Sequence, residues 1–268
     1  MPELPEVETT VRGLRPALDG QVIATLSTRR AGLRHPFPPD LRQRMTGARV
    51  TALGRRAKYG LIDTDRGDRL VFHLGMSGRW RIDPDELLPH DHLVIETQAG
   101  RRLVLNDARR FGFVDLVGEG EDYPPFAALG PEPLGDALTV DHLAAAFAGR
   151  GAPVKALLLD QRTVAGLGNI YVCEALHLAH IAPTRPAGTL TRREVAALVP
   201  AIRGVLEAAI AAGGSTLRDY ARPNGELGYF ASQWRAYGRA GERCGCGGVI
   251  ERRVDSGRST FWCRTCQR

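Results

Sequence analysis

The sequence predicts an α+β protein: an N-terminal helix leading into an antiparallel β-sandwich, then a helical domain, then a cysteine-bearing C-terminal β-hairpin. Three observations predict it. Apolar residues recur at three- and four-residue spacings in residues 3–15 and again beyond residue 138, the period of a helix with one buried face. Between about residues 20 and 117 the texture changes to short β-branched or apolar runs broken by turn residues. Four of the five cysteines, Cys244, Cys246, Cys263 and Cys266, crowd the last 25 residues.

The first helix sets Leu4, Val7, Val11 and Leu14 on one face and carries Glu3, Glu6 and Glu8 in its first turns, where the helix dipole favours negative charge. Strands are predicted at Arg49–Leu53, Lys58–Thr64, Arg69–Leu74, His92–Thr97, Arg101–Asn106 and Phe113–Val117. Asp65–Asp68 and Gln98–Gly100 serve as hairpin connections. Residues 118–137 are rich in Gly, Pro and acidic groups and read as a linker. Helices follow at Val140–Ala148, Val154–Leu159, Ile170–Leu178 and Thr191–Ala212, the last stopped by Gly213-Gly214. Gly166-Leu167-Gly168-Asn169 separates two of them, as in a helix–turn–helix arrangement. The expected domains are 1–117 (sandwich), 118–137 (linker), 138–234 (helical) and 235–268 (finger).

The chain has 268 residues, 43% hydrophobic and 25% charged, ordinary values for a globular protein. No apolar run approaches the ~18 residues of a membrane span, and no signal peptide precedes the first helix, so a cytoplasmic protein is expected. A net charge of +6 tilts the odds towards a polyanionic partner. The cysteines sit in two close pairs, C-x-C and C-x-x-C, separated by sixteen residues. That clustering reads as a metal site rather than a disulfide scaffold, and four thiolates suit one tetrahedral, structural Zn²⁺. The finger, with eight Arg against three acidic residues, suits a phosphate clamp. Cys173, alone in an apolar helix, reads as a small buried hydrophobe. His73, His90 and His92 lie on strand patterns with no fourth ligand and read as structural.

The chain begins Met-Pro2-Glu3-Leu4-Pro5-Glu6-Val7-Glu8-Thr9. Removal of Met1 leaves Pro2 with a free secondary amine, of reference pKa near 8, beside a carboxylic acid. Such an amine attacks a sugar C1′ to give an iminium, and Glu3 can move the accompanying proton. Read without context, Pro2 is simply a first-turn helix proline.

This N-terminus, with Arg55–Tyr59 (RRAKY), His73–Gly78 (HLGMSG), Arg109–Gly112 (RRFG), Leu129–Leu134 (LGPEPL) and Gly166–Tyr171 (GLGNIY), resembles the bacterial formamidopyrimidine-DNA glycosylase family in order along the whole chain. The resemblance implies excision of oxidised purines from damaged double-stranded DNA by a monomer, through a Pro2 Schiff base followed by β- and δ-elimination. It makes Pro2, Glu3 and Lys58 catalytic, and His92, Arg109, Asn169, Arg258, Met76, Phe111 and Lys155 contacts to DNA. Met76 and Phe111 would fill the gap left by the extruded nucleotide, while Arg109 faces the orphaned base. Glu6, Glu174 and Arg258 would support proton transfer or positioning, and Ser215–Tyr229 would fold over the extruded purine. Two departures stand out. The first cysteine pair is C-x-C where the family has C-x-x-C, and Ala108 stands where Pro is common. An endonuclease VIII-type enzyme for oxidised pyrimidines and a non-catalytic damage-binding protein are the rival readings.

Overall fold

The computed structural model describes residues 2–215, 223 and 228–268. It contains α1 (Leu4–Leu18), β1 (Ile23–Thr28), α2 (Leu41–Met45), β2 (Val50–Arg56), β3 (Tyr59–Thr64), β4 (Arg69–His73), β5 (Arg79–Ile82), β6 (Asp91–Thr97), β7 (Arg102–Asn106) and β8 (Phe113–Val117). There follow α3 (Pro124–Ala127), α4 (Val140–Phe147), α5 (Val154–Leu159), α6 (Asn169–Leu178), α7 (Arg192–Ala211), β9 (Ile250–Asp255) and β10 (Arg258–Cys263). The helix, antiparallel sheet and terminal hairpin expected from the sequence are the ones observed.

Two compact units are present: Met1–Phe126 with Ala212–Ala231, and Ala127–Ala211 with Ser232–Arg268. Ala212–Ala231, which the sequence reading assigns to the helical domain, therefore clusters with the first unit. The finger clusters with the helices of the second.

In the first unit two four-stranded antiparallel sheets, ordered β1-β6-β7-β5 and β2-β3-β4-β8, bury a common core with α1. Each sheet turns apolar residues inward, and Phe72 meets Trp80 edge-on at 5.5 Å between ring centroids. Gly60 makes room for that ring, because a Cβ there would lie 2.0 Å from Phe72 Cζ. The expected face of α1 is the buried one: Leu4, Val7, Val11 and Leu14 are all in the interior. Burying a Leu or Val side chain contributes roughly 1.5–3 kcal/mol, so this one face anchors the N-terminal end of the described chain firmly.

The second unit is built on α6, whose residues Ile170–His177 are all buried. The β9–β10 hairpin pairs Arg258 with Asp255 across a Ser256-Gly257 turn in which both residues have positive φ (48° and 76°). That mirror-image turn matches the strand twist and brings Arg258 to the hairpin's tip.

Candidate active site and metal centre

The predicted site residues fall into two groups, one per unit. In the first, Pro2 is buried at the foot of α1. Glu3 and Glu6 are each only 2% exposed. A surface glutamate placed for the helix dipole would not be buried, so both carboxyls have an internal task. Glu6 Oε2 accepts from the Glu3 amide (2.8 Å), as a capping residue does, and Oε1 accepts from the Ser215 amide (2.8 Å). One carboxylate thus ties the start of the chain to the start of the Ser215–Tyr229 segment. Most of that segment, and with it the fold-over expected above, lies outside the described residues.

Lys58 is largely buried. It occupies the turn between β2 and β3, after Ala57 in a left-handed conformation (φ 51°), rather than the strand expected from the sequence. Its charge reaches His73. Burial, aided by Lys58 and Arg34, lowers the His73 pKa to about 4 and leaves the ring neutral at pH 7. Neutrality matters because His73 Nδ1 accepts from the Gly75 amide (3.0 Å), fixing the loop that carries Met76. The same ring stacks on Phe113, with centroids 5.1 Å apart.

The Met76 loop interlocks with the Arg109–Phe111 loop. Gly75 (φ 59°) passes so close that a Cβ would lie 2.3 Å from the Phe111 carbonyl carbon. The clamp is Asp107, which is fully buried. Its Oδ1 accepts from Ser77 Oγ (2.6 Å), its Oδ2 from the Gly112 amide (2.8 Å), and Ser77 Oγ in turn accepts from the Arg109 amide (3.0 Å). On this base Phe111 stands 48% exposed, with the Arg109 guanidinium 4.9 Å from its ring centroid. An exposed aromatic fixed in a rigid loop can enter a gap in a base stack.

His92, which the resemblance makes a DNA contact, and its neighbour His90 differ in exposure. His92 is buried, and its Nε2 donates to the Asp107 carbonyl (2.9 Å). Its neighbour His90 is exposed, 6.3 Å away between ring centroids, and is the imidazole open to a ligand. Sequence reasoning also missed Asp107 and Ser77. Polar residues in short loops carry no periodic signal that separates a clamp from a solvated turn.

In the second unit α5 and α6 grip the finger hairpin. Asn169 Nδ2 donates to the Ser259 carbonyl (2.8 Å). Lys155 Nζ donates to the same oxygen (3.1 Å) and to Thr260 Oγ1 (2.8 Å). Lys155 is thereby an internal brace beside Arg258 rather than an exposed cation, and burial lowers its pKa from the usual Lys value. Asn169 Oδ1 is buried with no partner among the described residues. Arg258 is exposed. Glu174, also buried, accepts from the amides of Arg235, Ala236 and Tyr237 at 2.7–2.9 Å, which pins the entrance of the finger to α6. Pro153, Lys155, Leu159, Arg253, Asp255 and Arg258 line a cavity of about 650 Å³ between α5 and the hairpin tip.

Cys244, Cys246, Cys263 and Cys266 place all four Sγ atoms within 4.8 Å of one another, with pairs at 3.5 and 3.9 Å. Four sulfurs about 2.3 Å from a tetrahedral Zn²⁺ lie about 3.8 Å apart, so the donor set fits that ion in type and spacing. Gly248 allows the close approach, since a Cβ there would meet Cys263 Sγ at 2.8 Å. His177 Nε2 lies 3.3 Å from Cys244 Sγ.

Residues 1–114 match the family model for the formamidopyrimidine-DNA glycosylase N-terminal domain, and residues 129–221 match that for its H2TH domain. The chain belongs to the formamidopyrimidine-DNA glycosylase family. It is 70% identical over 271 residues to the formamidopyrimidine-DNA glycosylase of Rhizorhabdus wittichii and 68% identical over 270 residues to that of Novosphingobium aromaticivorans, each match covering both chains in full. Among solved members of the family, the MutM (Fpg) protein of Thermus thermophilus superposes with a TM-score of 0.90 at 41% identity, covering 99% of this chain and 98% of that one. Lactococcus lactis Fpg bound to DNA containing an abasic site superposes with a TM-score of 0.92 at 33% identity, each chain covered in full. A Lactococcus lactis Fpg variant bound to Fapy-dG-containing DNA gives the same score and identity, again with both chains fully covered.

Proposed function

We propose that this chain is a bifunctional DNA glycosylase and abasic-site lyase of base excision repair, acting on oxidised purines in duplex DNA. The observation that carries the reading is the pair of buried carboxyls, Glu3 and Glu6, beside Pro2 at the end of the chain. After Met1 is removed, the Pro2 nitrogen attacks C1′ of an extruded nucleotide, the glycosidic bond breaks and the base departs. Loss of the amine proton then lets the C1′–O4′ bond break, Glu3 protonating O4′ as the sugar ring opens, and this leaves an iminium at C1′. That electron sink acidifies C2′–H, so elimination expels the 3′ phosphate and a second elimination expels the 5′ phosphate. Glu6 holds Glu3 by its amide rather than reacting itself. Phe111 and Met76 fill the emptied stack, Arg109 donates to the orphaned cytosine, and Lys58, His90, Asn169 and Arg258 receive phosphates. Four thiolates holding one Zn²⁺ stabilise the hairpin that carries Arg258. The proposed domains are the sandwich, the helical element and the finger. No described helix is long and apolar enough to cross a membrane.

The test compares strand cleavage of duplexes bearing 8-oxoguanine opposite cytosine with duplexes bearing an oxidised pyrimidine. Faster cleavage at the purine lesion, with phosphate on both new ends, is expected. Faster cleavage at the pyrimidine lesion would replace the substrate class, and binding without cleavage would leave a damage-recognition protein.

A further inference from the structure

The two halves of the cysteine cluster are not equivalent. The spacer between Cys263 and Cys266 is two residues, and that between Cys244 and Cys246 is one. The Gly248 amide donates to Cys246 Sγ at 3.4 Å. Four thiolates around a divalent cation leave a local charge of about −2, and N–H donors to sulfur are what disperse it in a dry site. Cys244, in the shortened loop, is a buried sulfur.

His177 stands beside that sulfur. It lies on the last turn of α6, buried, with Nε2 3.3 Å from Cys244 Sγ. A metal-bound thiolate only accepts, so Nε2 must carry the proton. Nδ1 is buried with no hydrogen-bond partner among the described residues. A proton on Nδ1 would be an orphaned donor, which is rarer in protein interiors than an under-used acceptor. Both halves of the ring thus select the Nε2–H tautomer. Glu174, one turn earlier on the same face of α6, already holds residues 235–237. The helix therefore anchors the finger at its entrance and at its first ligand.

We infer that His177 is a positioning residue of the metal centre, its Nε2–H donating to the Cys244 thiolate. This rests on the reading that the four thiolates hold Zn²⁺. The test uses the full-length protein and its His177→Phe and His177→Gln variants; Gln keeps an N–H near the Nε2 position. Zinc affinity is measured by chelator competition, and the intensity of thiolate-to-metal charge transfer in the Co²⁺-loaded proteins counts the sulfurs bound. Expected are a four-thiolate spectrum in all three proteins, zinc affinity weakened about tenfold to a hundredfold by Phe, and recovery to within about threefold of the parent by Gln. Unchanged affinity in the Phe variant, or a Gln variant as weak as Phe, would overturn the inference while leaving the metal site intact. A three-thiolate spectrum in the parent would overturn it too, making His177 a ligand instead of a donor. Failure of the parent to bind either ion would remove the metal reading itself.

Discussion

Replacing Asp107 with Asn tests whether the two probe loops form one rigid element. The carboxylate is fully buried and accepts from Ser77 Oγ and the Gly112 amide, while Ser77 Oγ already accepts from the Arg109 amide. Asn offers one acceptor and one donor in the same volume. If its NH₂ faces Gly112, two donors collide; if it faces Ser77, the hydroxyl proton loses its acceptor. Either way one charge-assisted bond is lost and one buried group is left unpaired, a cost of about 2–3 kcal/mol. Looser loops also misplace Met76, Arg109 and Phe111, and displacements near 1 Å can cost roughly a hundredfold in rate. Urea unfolding at pH 7.5 should report the lost stability. Single-turnover excision of 8-oxoguanine opposite cytosine should fall by about tenfold or more. Ser77→Ala should show part of the same loss and add little to Asp107→Asn, because the two share one network. A variant within about 0.5 kcal/mol and twofold of the parent would refute the clamp.

Other outcomes follow from the same geometry. The His73 pKa is lowered from 6.5 to about 4, so the unfolded chain takes up that proton first as the pH falls. Its contribution to stability is complete above about pH 6.5 and is lost between there and pH 4, roughly 2 kcal/mol being gone at pH 5. Unfolding of the protein and of His73→Phe at pH 7.5 and 5 should show the smaller pH dependence in the variant, and equal dependences would contradict it. Gly75→Ala should destabilise by about 1–3 kcal/mol and slow excision, since φ is +59° and the added Cβ would overlap Phe111 backbone; calorimetry and excision kinetics check it, and an unchanged melting temperature would count against the interlocked loops. Stripping the metal with a chelator under reducing conditions should weaken binding to abasic-site DNA about tenfold or more and Zn²⁺ should restore it; unchanged affinity would separate the finger from DNA binding.

Much of the fold was legible because burial and period coincide. The α1 stripe of Leu4, Val7, Val11 and Leu14 and the apolar cores of β3, β4, β6 and β7 announce themselves, as do the helices after residue 139. Strands β1 and β5 were not legible. Both lie at the edges of one sheet, and Arg79-Trp80-Arg81-Ile82 fully buries only Trp80. A half-wet edge strand of four residues looks like a loop. At the site, Pro2 and Glu3 could be picked out by chemistry and by resemblance. The Asp107–Ser77 clamp could not, because it joins residues thirty positions apart that share no pattern. His177 was hidden differently: its helix is apolar nearly all round, and the sulfur it faces lies 67 residues away.

The central claim is that Pro2 is the nucleophile. Borohydride reduction during reaction with a duplex bearing 8-oxoguanine opposite cytosine, followed by peptide mass spectrometry, tests it directly. The account predicts a covalent DNA adduct on the Pro2 nitrogen, lost when Met1 is retained. An adduct on Lys58 or another amine, or excision with no trapped adduct, would contradict it.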